Sequence, residues 1–352
     1  MNLKFPTLDA HIAPSTMHDV YNRPLHDLRI SVIDQCNFRC TYCMPEKNQP
    51  DHYTFLQDNQ WLTFEEIERC ARLFVQLGVT KLRLTGGEPL LRPDLPDLVG
   101  NLKKIDGITD LSLTTNGSLL TAQAQALKDA GLNRITISLD ALDDKVFRIM
   151  NGQRGRVRKV LEGIHKCEEI DFESIKINTV LKKGINDHQI LDLIKYFKGR
   201  KPIVRFIEYM DVGNCNHWNA KSVVASTDTV AIINKHFPIE PMNSNYYGEV
   251  ASRYRFLDGS GEVGFISSIT QPFCQTCTRA RLSTDGKVYT CLFARQGTDL
   301  RAHLRTNASD DQLLDVLRSL WKKRDDRYSE LRTQMPAPKE SAPKVEMFQI
   351  GG

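Results

Sequence analysis

The sequence predicts an α/β protein built on an incomplete (βα)6 barrel, followed by a C-terminal subdomain that contains β-hairpins. Two observations carry this prediction. Short alternating runs recur between residues 28 and 210 with helix-period segments between most of them, and one face of these runs is polar in strand after strand. Strands that alternate with helices form right-handed βαβ units around a parallel sheet.

Six strand runs and their intervening helices account for the first part of the chain. The helical segments include TFEEIERCARLFVQLG, TAQAQALKDAGL and RVRKVLEGIHKCEE. About six such units fit either an incomplete barrel or an open wound sheet. The strand runs are LRISVID (28–34), KLRLTGG (81–87), LSLTTNG (111–117), RITISLD (134–140), IKINTVL (175–181) and VRFIEYM (204–210).

The two faces of these strands favour the barrel. Parallel strands that are buried on both faces usually consist of continuous apolar residues. An antiparallel sheet with one solvated face would also alternate, but the helices between the strands disfavour it. We therefore expect a polar-lined barrel interior. The apolar face carries Ile30, Val32, Leu82, Leu84, Ile135, Ile137, Leu139, Ile175 and Ile177, and the polar face carries Arg29, Ser31, Arg83, Thr85, Ser112, Thr114, Asn116, Thr136, Ser138, Asp140, Lys176 and Asn178.

The pattern changes after about residue 225. YRFLDGSGEVGFISS and RLSTDGKVYTCLF each contain two short strands around an Asp-Gly or Gly-rich turn, which is typical of a β-hairpin. Helical segments follow at about 297–305 and 310–324, and PAPKESAPK predicts a flexible tail. The predicted organisation is an N-terminal arm (1–26), the barrel (27–225), the C-terminal subdomain (226–330) and a tail (331–352) that ends in Gly-Gly.

Composition argues against several classes of protein. A net charge of +4 over 352 residues is too small to indicate nucleic-acid binding. The N-terminal residues contain no apolar signal core, and no run of 18 apolar residues is present to span a membrane. We expect a soluble, cytoplasmic protein, and the sequence leaves open whether it is a monomer or a homodimer.

Six of the nine cysteines fall into two groups of three, which indicates metal or redox chemistry. The first cysteine group, Cys36, Cys40 and Cys43, follows the first strand directly, where barrel enzymes place their chemistry. Three thiolates can hold a 4Fe–4S cluster and leave one iron open for another ligand. A zinc site is the alternative, but it would need a fourth ligand close by.

The second cysteine group, Cys274, Cys277 and Cys291, again offers three ligands rather than four. A cluster that only relays electrons gains from full ligation, so an open iron indicates that substrate binds at a second 4Fe–4S cluster. A structural zinc knuckle is the alternative. Cys70 and Cys167 lie in helical patterns, where packing is their expected role.

The spacing C-x3-C-x2-C, with an aromatic residue just before the last cysteine, resembles the radical S-adenosylmethionine (radical SAM) superfamily. The resemblance implies a radical SAM type of barrel. It also implies that S-adenosylmethionine binds the open iron and is cleaved reductively to a 5′-deoxyadenosyl radical. TGGEP (85–89) resembles the superfamily's glycine-rich motif, which contacts the methionine end of the cofactor. For Ser138 and Met210, packing remains the alternative role. The implied cofactor-binding residues are Tyr42, Gly87, Glu88, Ser138 and Met210.

Longer motifs resemble one family within this superfamily. C-x2-C-x-R-A-R-L, TGGEPLLR, LTTNG, SLDAL, EYMDVG and the terminal Gly-Gly together resemble the GTP 3′,8-cyclase family of molybdenum cofactor biosynthesis, from about Leu28 to Gly352. The resemblance implies hydrogen abstraction from ribose carbon 3′ of GTP, attack on guanine carbon 8, and reduction. It implies that guanine ligates the second cluster. It also implies two partners, a reducing electron donor and a downstream cyclic pyranopterin monophosphate synthase.

The resemblance further implies a set of GTP contacts. Three of them, Arg29, Arg83 and Lys176, are also the cations of the polar strand face, as a triphosphate would require. Glu208 offers an alternative, a structural ion pair with Lys176. No G-x4-GK[ST] phosphate loop is present, which excludes a conventional GTPase. The implied GTP-binding residues are Arg29, Arg83, Thr114, Lys176, Arg279, Ala280 and Arg281.

The terminal glycines would ordinarily be disordered and dispensable. Because the resemblance covers the tail and glycine fits a crowded cavity, we expect the tail to fold back into the barrel mouth. A peptide-modifying radical enzyme with an auxiliary cluster and a non-catalytic iron–sulfur carrier remain as rival functions, and the role of Cys215 is open. The predicted catalytic residues are Arg29, Arg279, Arg281, Gly351 and Gly352.

Overall fold

The barrel wall consists of six parallel strands that neighbour one another in chain order, which confirms the predicted barrel. One or two helices follow each of the first five strands, as the alternation predicts. The strands are β1 (Asp27–Ser31), β2 (Lys81–Thr85), β3 (Asp110–Thr115), β4 (Arg134–Ser138), β5 (Ser174–Leu181) and β6 (Ile203–Glu208), and the helices are α1 (Phe64–Gln76), α2 (Leu95–Lys103), α3 (Leu120–Asp129), α4 (Asp144–Met150), α5 (Val157–Glu169) and α6 (Ile190–Phe197).

This computed structural model describes residues 16–46, 54–332 and 344–351. Residues 1–15 of the predicted arm, most of the Pro-rich stretch and Gly352 lie outside the described residues. After β6 the elements are α7 (Ser226–His236), β7 (Ile239–Met242), β8 (Ser252–Phe256), β9 (Glu262–Ile266), β10 (Arg279–Leu282), β11 (Lys287–Tyr289), β12 (Thr298–Asp299), α8 (Arg301–Arg305), α9 (Asp310–Lys322), α10 (Tyr328–Leu331) and α11 (Met347–Ile350).

Both predicted hairpins are present, but each also extends the barrel sheet. β8 pairs with β9 and β10 pairs with β11, in both cases antiparallel. β9 in addition runs parallel to β6, and β10 runs parallel to β1. The result is one sheet of twelve strands in the order β12-β11-β10-β1-β2-β3-β4-β5-β6-β9-β8-β7. The helix expected from 297 begins only at Arg301, because residues 298–299 pair with β11.

The apolar strand face packs against the helices, as the alternation predicts. α1 begins at a capping box in which Thr63 and Glu66 bond each other's main chain, and its apolar stripe, including Cys70, turns inward. Cys167 of α5 is buried in the same way, so both helical cysteines are core residues. Buried strand residues on this face include Leu28, Ile30, Leu82, Leu84, Leu111, Leu113, Ile135, Ile137, Ile175 and Ile177.

The described parts of the arm and the tail are packed onto the barrel. The main-chain N–H of Met17 donates to the carbonyl of Leu77 (2.9 Å), and the Met17 carbonyl accepts from Leu25 (2.8 Å). In the tail, Phe348 and Ile350 are buried. The expected flexible tail therefore ends in a docked segment, because α11 has apolar residues to bury. Within the described ranges, no helix is long and apolar enough to cross a membrane.

Candidate active site

The first cysteine group lies in the loop that follows β1, and the glycine-rich loop after β2 packs directly on it. The main-chain N–H of Gly87 donates to the carbonyl of Ile33 (2.7 Å), and that of Glu88 donates to the carbonyl of Gln35 (2.8 Å). A Cβ at Gly87 would lie 2.1 Å from the Gln35 carbonyl oxygen. Only glycine permits this approach, so the TGGEP motif fixes the position of the cysteine loop.

The three thiols of this group are half-buried and form no disulfide. The main-chain N–H of Phe38 donates to Sγ of Cys36 (3.3 Å). Burial, reinforced by the carboxylate of Glu88, raises the pKa of Cys36 to about 12. Burial likewise raises the pKa of Cys40 and Cys43 well above the usual range for a thiol. Thiolates here require a compensating positive charge, which iron would supply as protons are released.

Tyr42 connects this loop to two other strand ends. Its hydroxyl donates to Oδ2 of Asp140, just beyond β4, at 3.0 Å. Its carbonyl accepts from the side-chain amide of Asn216 (3.4 Å), which also donates to the carbonyl of Met210 (3.2 Å). The loop after β6 is thereby held against the first cysteine group. Met210 lines a cavity at the barrel mouth, and Ser138 is a half-buried residue at the end of β4.

The carboxylate of Glu88 is buried where the ends of β2 and β3 meet. It accepts hydrogen bonds from the hydroxyl of Thr115 (2.6 Å) and from the main-chain N–H groups of Asn116 (2.7 Å) and Leu90 (3.0 Å). Burial raises its pKa to about 7, although these donors favour the charged form. Glu88 therefore joins the ends of β2 and β3.

The second cysteine group lines a cavity at the barrel mouth together with Met210. Nη2 of Arg279 donates to Sγ of Cys277 (3.2 Å), and the main-chain N–H of Phe293 donates to Sγ of Cys291 (3.4 Å). Burial opposes ionisation of Cys277, but the charges of Arg279 and then Arg324 outweigh it and lower the pKa of this thiol to about 6. A thiolate is thus favoured here even without metal.

The positions of the cysteine side chains can be compared with those that a zinc ion would require at either group. Across the part of the chain that the structure describes, no three His, Cys, Asp or Glu side chains converge closely enough for a single metal ion. A zinc ion needs all its ligand atoms about 2.0–2.3 Å from one centre. A 4Fe–4S cluster binds each cysteine through a different iron, so its ligands stand farther apart.

Three arginines stand in register on adjacent strands of the cavity wall. Arg29 of β1 pairs with Arg281 of β10 on one side and with Arg83 of β2 on the other. Like charges placed directly opposite each other repel. Burial and the charges of Arg281 and then Arg83 lower the pKa of Arg29 well below its usual range. We call these three residues the arginine row; a bound polyanion would relieve its repulsion.

The cationic surface continues across the barrel interior. Nη1 of Arg83 donates to the hydroxyl of Thr114 (3.0 Å). Burial and neighbouring guanidinium groups, first that of Arg205, lower the pKa of Lys176 to about 7. Among the described residues Lys176 has no ion-pair partner. The alternative pairing with Glu208 is therefore wrong.

The strand period explains where Glu208 goes instead. Residues 204, 206 and 208 of β6 face away from the lumen, and residues 205 and 207 face into it. The Glu208 carboxylate accepts from the main-chain N–H groups of Ser226, Ile269 and Thr270, each at 2.8 Å. Met210 lies beyond the strand end, where alternation no longer predicts its direction.

Sequence reasoning missed several residues of the cavity wall. Nε of Arg205 donates to Oδ1 of Asn178 (2.9 Å), and burial followed by the charge of Arg83 lowers the pKa of Arg205 to about 9. Nζ of Lys81 lies 3.1 Å from the ring centroid of Tyr246. Arg205 alternates with the apolar residues Val204 and Phe206, so the period of two could have predicted it on the polar strand face. Ala280 is buried and pairs with Leu28 of the apolar face, so its contact with substrate would be through the main chain.

The tail reaches the arginine row. Nη1 of Arg281 donates to the carbonyl of Gly351 and to that of Ile350 (3.3 Å). Gly351 has φ +70°, and a Cβ there would lie 2.2 Å from Cγ2 of Thr85. The structure thus places Gly351 beside Arg281, at a position where a side chain would clash. Gly352 lies outside the described residues.

Comparison with known proteins agrees with this architecture. A family model described as the radical SAM superfamily matches residues 30–197, and one described as Molybdenum Cofactor Synthesis C matches residues 203–330. A protein of Xanthomonas axonopodis pv. citri named GTP 3′,8-cyclase is 52% identical over 336 residues, covering 96% of this chain and 99% of that protein. This chain belongs to the GTP 3′,8-cyclase family. A family member from Staphylococcus epidermidis is 49% identical over 337 residues, covering 96% of this chain and 99% of its own.

Solved structures show the same fold at lower identity. Streptococcus suis SuiB bound to S-adenosylmethionine superposes with a TM-score of 0.59 at 17% identity, covering 89% of this chain and 69% of that one. The match to the radical SAM superfamily implies that this chain binds a 4Fe–4S cluster and S-adenosylmethionine. The residues of the first cysteine group fit that cluster in number, burial and sulfur hydrogen bonding.

Proposed function

We propose that this protein cyclises GTP to (8S)-3′,8-cyclo-7,8-dihydroguanosine 5′-triphosphate, the first step of molybdenum cofactor biosynthesis. The observation that carries the proposal is the composition of one cavity: it is lined by the second cysteine group, the arginine row and Met210. A cavity that combines metal-binding thiols with unpaired cations suits a nucleotide whose base meets a cluster and whose phosphates meet arginines.

The first cysteine group would hold the cluster to which S-adenosylmethionine binds. When bound, the two together supply a 5′-deoxyadenosyl radical. The protein's part is to orient and enclose. Gly87 and the main chain of Glu88 hold the glycine-rich loop against the cysteine loop, and Asn216 holds Met210 beside Tyr42. Ser138, Gly87, Glu88, Tyr42 and Met210 are the residues that we assign to the cofactor.

The second cysteine group would hold a second 4Fe–4S cluster with one open iron, and we assign guanine to that position. Sγ of Cys277 and Sγ of Cys291 each already accept a hydrogen bond, as cluster thiolates commonly do. The arginine row, Arg279, Lys176 and Thr114 would bind the triphosphate and ribose. Arg205 and Lys81 extend this set, because both line the same cavity.

The tail would help to place the ribose for hydrogen abstraction. Arg281 contacts both the tail carbonyls and, through its place in the arginine row, the proposed phosphate site. A displaced tail would leave Arg281 free to adopt other rotamers, at a cost in alignment. We therefore assign Arg29, Arg279, Arg281 and the terminal glycines, including Gly352, to the positioning of substrate.

The remaining assignments follow from the family. We propose a reducing electron donor, a downstream cyclic pyranopterin monophosphate synthase and a cytoplasmic location. The rival carrier function gives no role to the arginine row, since an electron carrier needs no polyanion site. The peptide-modifying rival is disfavoured, because the sequence is 52% identical to a protein named GTP 3′,8-cyclase and only 16% identical to SuiB, which was solved with a bound precursor peptide.

An isotope experiment tests the function. The full chain is reconstituted anaerobically with iron and sulfide, then given S-adenosylmethionine, a reductant and GTP deuterated at carbon 3′. We expect 5′-deoxyadenosine that contains deuterium and a nucleotide isomeric with GTP, because the product loses one hydrogen to the radical and gains one on reduction. Replacing the first cysteine group by alanine serves as the control and should abolish both products. Unlabelled deoxyadenosine formed equally without GTP would contradict the proposal.

A further inference from the structure

A buried ion cluster connects the N-terminal arm with the segment after α9. The side chain of Asp19 is 0% exposed, and those of Arg23 and Arg324 are each 1% exposed. Oδ2 of Asp19 accepts from Nε of Arg23 at 2.6 Å and from Nη1 of Arg324 at 3.1 Å. Its other oxygen accepts from the main-chain N–H groups of Tyr21 and Arg23, both at 2.9 Å. One carboxylate thus holds two guanidinium groups from distant parts of the sequence.

Both guanidinium groups continue to the main chain of the second cysteine group. Nη1 of Arg23 donates to the carbonyl of Cys274 (2.8 Å). Nη1 of Arg324 donates to the carbonyl of Cys277 (2.8 Å), and its Nε donates to the carbonyl of Thr290 (3.2 Å), the residue before the third cysteine. All three cysteine segments are therefore bonded to one side-chain cluster.

Such a cluster calls for an explanation beyond stability. Burying a carboxylate with two guanidinium groups carries a large desolvation cost, and apolar side chains of similar volume are often at least as stabilising. Arginine has five N–H donors in a rigid plane, so it can bind a carboxylate and main-chain carbonyls at the same time. Lysine cannot reproduce that geometry. The feature that needs arginine here is the placement of the cysteine carbonyls.

We propose that Asp19, Arg23 and Arg324 are positioning residues for the second cluster, which makes residues 16–26 part of that metal site. The inference rests on the proposed function, because it needs a cluster at the second cysteine group. The three bonded carbonyls hold the thiolates at the spacing that three-cysteine ligation requires, and the guanidinium groups place positive charge beside an anionic centre. Their loss releases the second cluster and leaves the first one in place.

Two conservative variants test this in the reconstituted full chain. Arg324→Lys retains a positive charge and loses the forked donors, and Asp19→Asn retains the shape and loses the charge. Wild type should hold about eight irons per chain, and each variant about four, or should release the second half of its iron to a chelator at least tenfold faster. The electron paramagnetic resonance signal that shifts on addition of S-adenosylmethionine should persist, and the signal that shifts on addition of GTP should disappear in step with the iron that is lost.

An ion pair away from the cysteines provides the matched control. Nε of Arg69 lies 2.8 Å from Oδ1 of Asp310 and joins α1 to α9 at the surface. Arg69→Lys and Asp310→Asn should retain both clusters. Wild-type iron content, iron release and spectra in Arg324→Lys and Asp19→Asn would overturn the inference and leave the function standing. Equal loss of both clusters would overturn it too, by assigning these residues to folding in general. About four irons in wild type, unchanged in Cys274→Ala, would contradict the proposed second cluster itself.

Discussion

The thiol of Cys215 donates a hydrogen bond to Oε2 of Glu346, 2.9 Å away. Oε1 of the same carboxylate accepts from the main-chain N–H groups of Asn214 (2.8 Å) and Cys215 (3.3 Å). Gly213 leaves room for it, since a Cβ there would lie 2.0 Å from Oε2. The loop after β6 thus holds the start of α11, and the tail is fixed at both of its described ends. Cys215, which the sequence left unexplained, is one of these attachments.

Glu346→Gln should uncouple the tail from this loop. The substitution keeps the side-chain shape but turns one acceptor oxygen into a donor that faces other donors. We expect product formation to fall at least tenfold, about 1.4 kcal/mol of barrier, with little change in GTP affinity or iron content. Rates are measured by mass spectrometry and affinity by equilibrium dialysis. Cys215→Ser retains a donor and should be milder than Cys215→Val; equal effects of the two would assign the role to packing alone.

Gly351→Ala should impair catalysis without unfolding the protein. The new Cβ would clash with Thr85, which follows Leu84 in β2 beside the arginine row. We expect a loss of product formation of more than about tenfold, and a similar loss on deletion of Gly351 and Gly352, with cluster content and GTP affinity retained. Gly259→Ala is the matched control, because Gly259 has φ +76° and open space around its Cβ position. Full turnover by the truncated protein would show that the tail is dispensable.

Arg83→Ala and Lys176→Ala should weaken GTP binding and leave both clusters intact. Each removes a charge-assisted hydrogen bond worth about 1.5–3 kcal/mol, so the dissociation constant should rise about ten- to a hundredfold. Arg255→Ala, which removes an exposed arginine paired with Glu240, should have no effect. Guanosine lacks the phosphates, so its dissociation constant should be the same for the variants and for wild type. If wild type binds guanosine as tightly as GTP, the cations do not bind phosphate.

GTP affinity should depend on pH through Lys176. In the free protein its pKa is about 7, because burial and the nearby arginines disfavour the charged form. A bound triphosphate raises that pKa, so binding takes up a proton above pH 7. Affinity should therefore fall as pH rises from 7, by up to about tenfold per unit, and level off once the pKa of the complex is passed. Calorimetry in buffers of different ionisation enthalpy measures the proton uptake, and Lys176→Met should abolish it.

Strand periodicity and cysteine spacing predicted most of the barrel and of the candidate site, because both depend on residues close together in the sequence. The period of two placed Arg29, Arg83 and Lys176 on the polar face, and the spacing of each cysteine group predicted three ligands for a cluster. The period also held the information for Arg205, one residue after Val204 in β6. These features depend only on neighbouring residues along one strand or loop.

Features that depend on distant pairing were not predictable in this way. Nothing near Arg281 in the sequence indicates that it will stand beside Arg29, because parallel pairing leaves no turn signal. The contact of Glu88 with the end of β3 depends on donors from another segment, the hydroxyl of Thr115 and the main-chain N–H of Asn116. Asp19 looked like part of an irregular arm, and its role depends on an arginine about three hundred residues away.

The pairing of β10 with β1 also sets the order in which this protein can be completed during synthesis. Arg29 leaves the ribosome about 250 residues before Arg281, which at about 5–20 residues per second is roughly 12–50 s. Throughout that interval β1 is an open edge, and open edges are sites of mispairing between chains. The arginine row is then missing one of its members, which lowers its own repulsion.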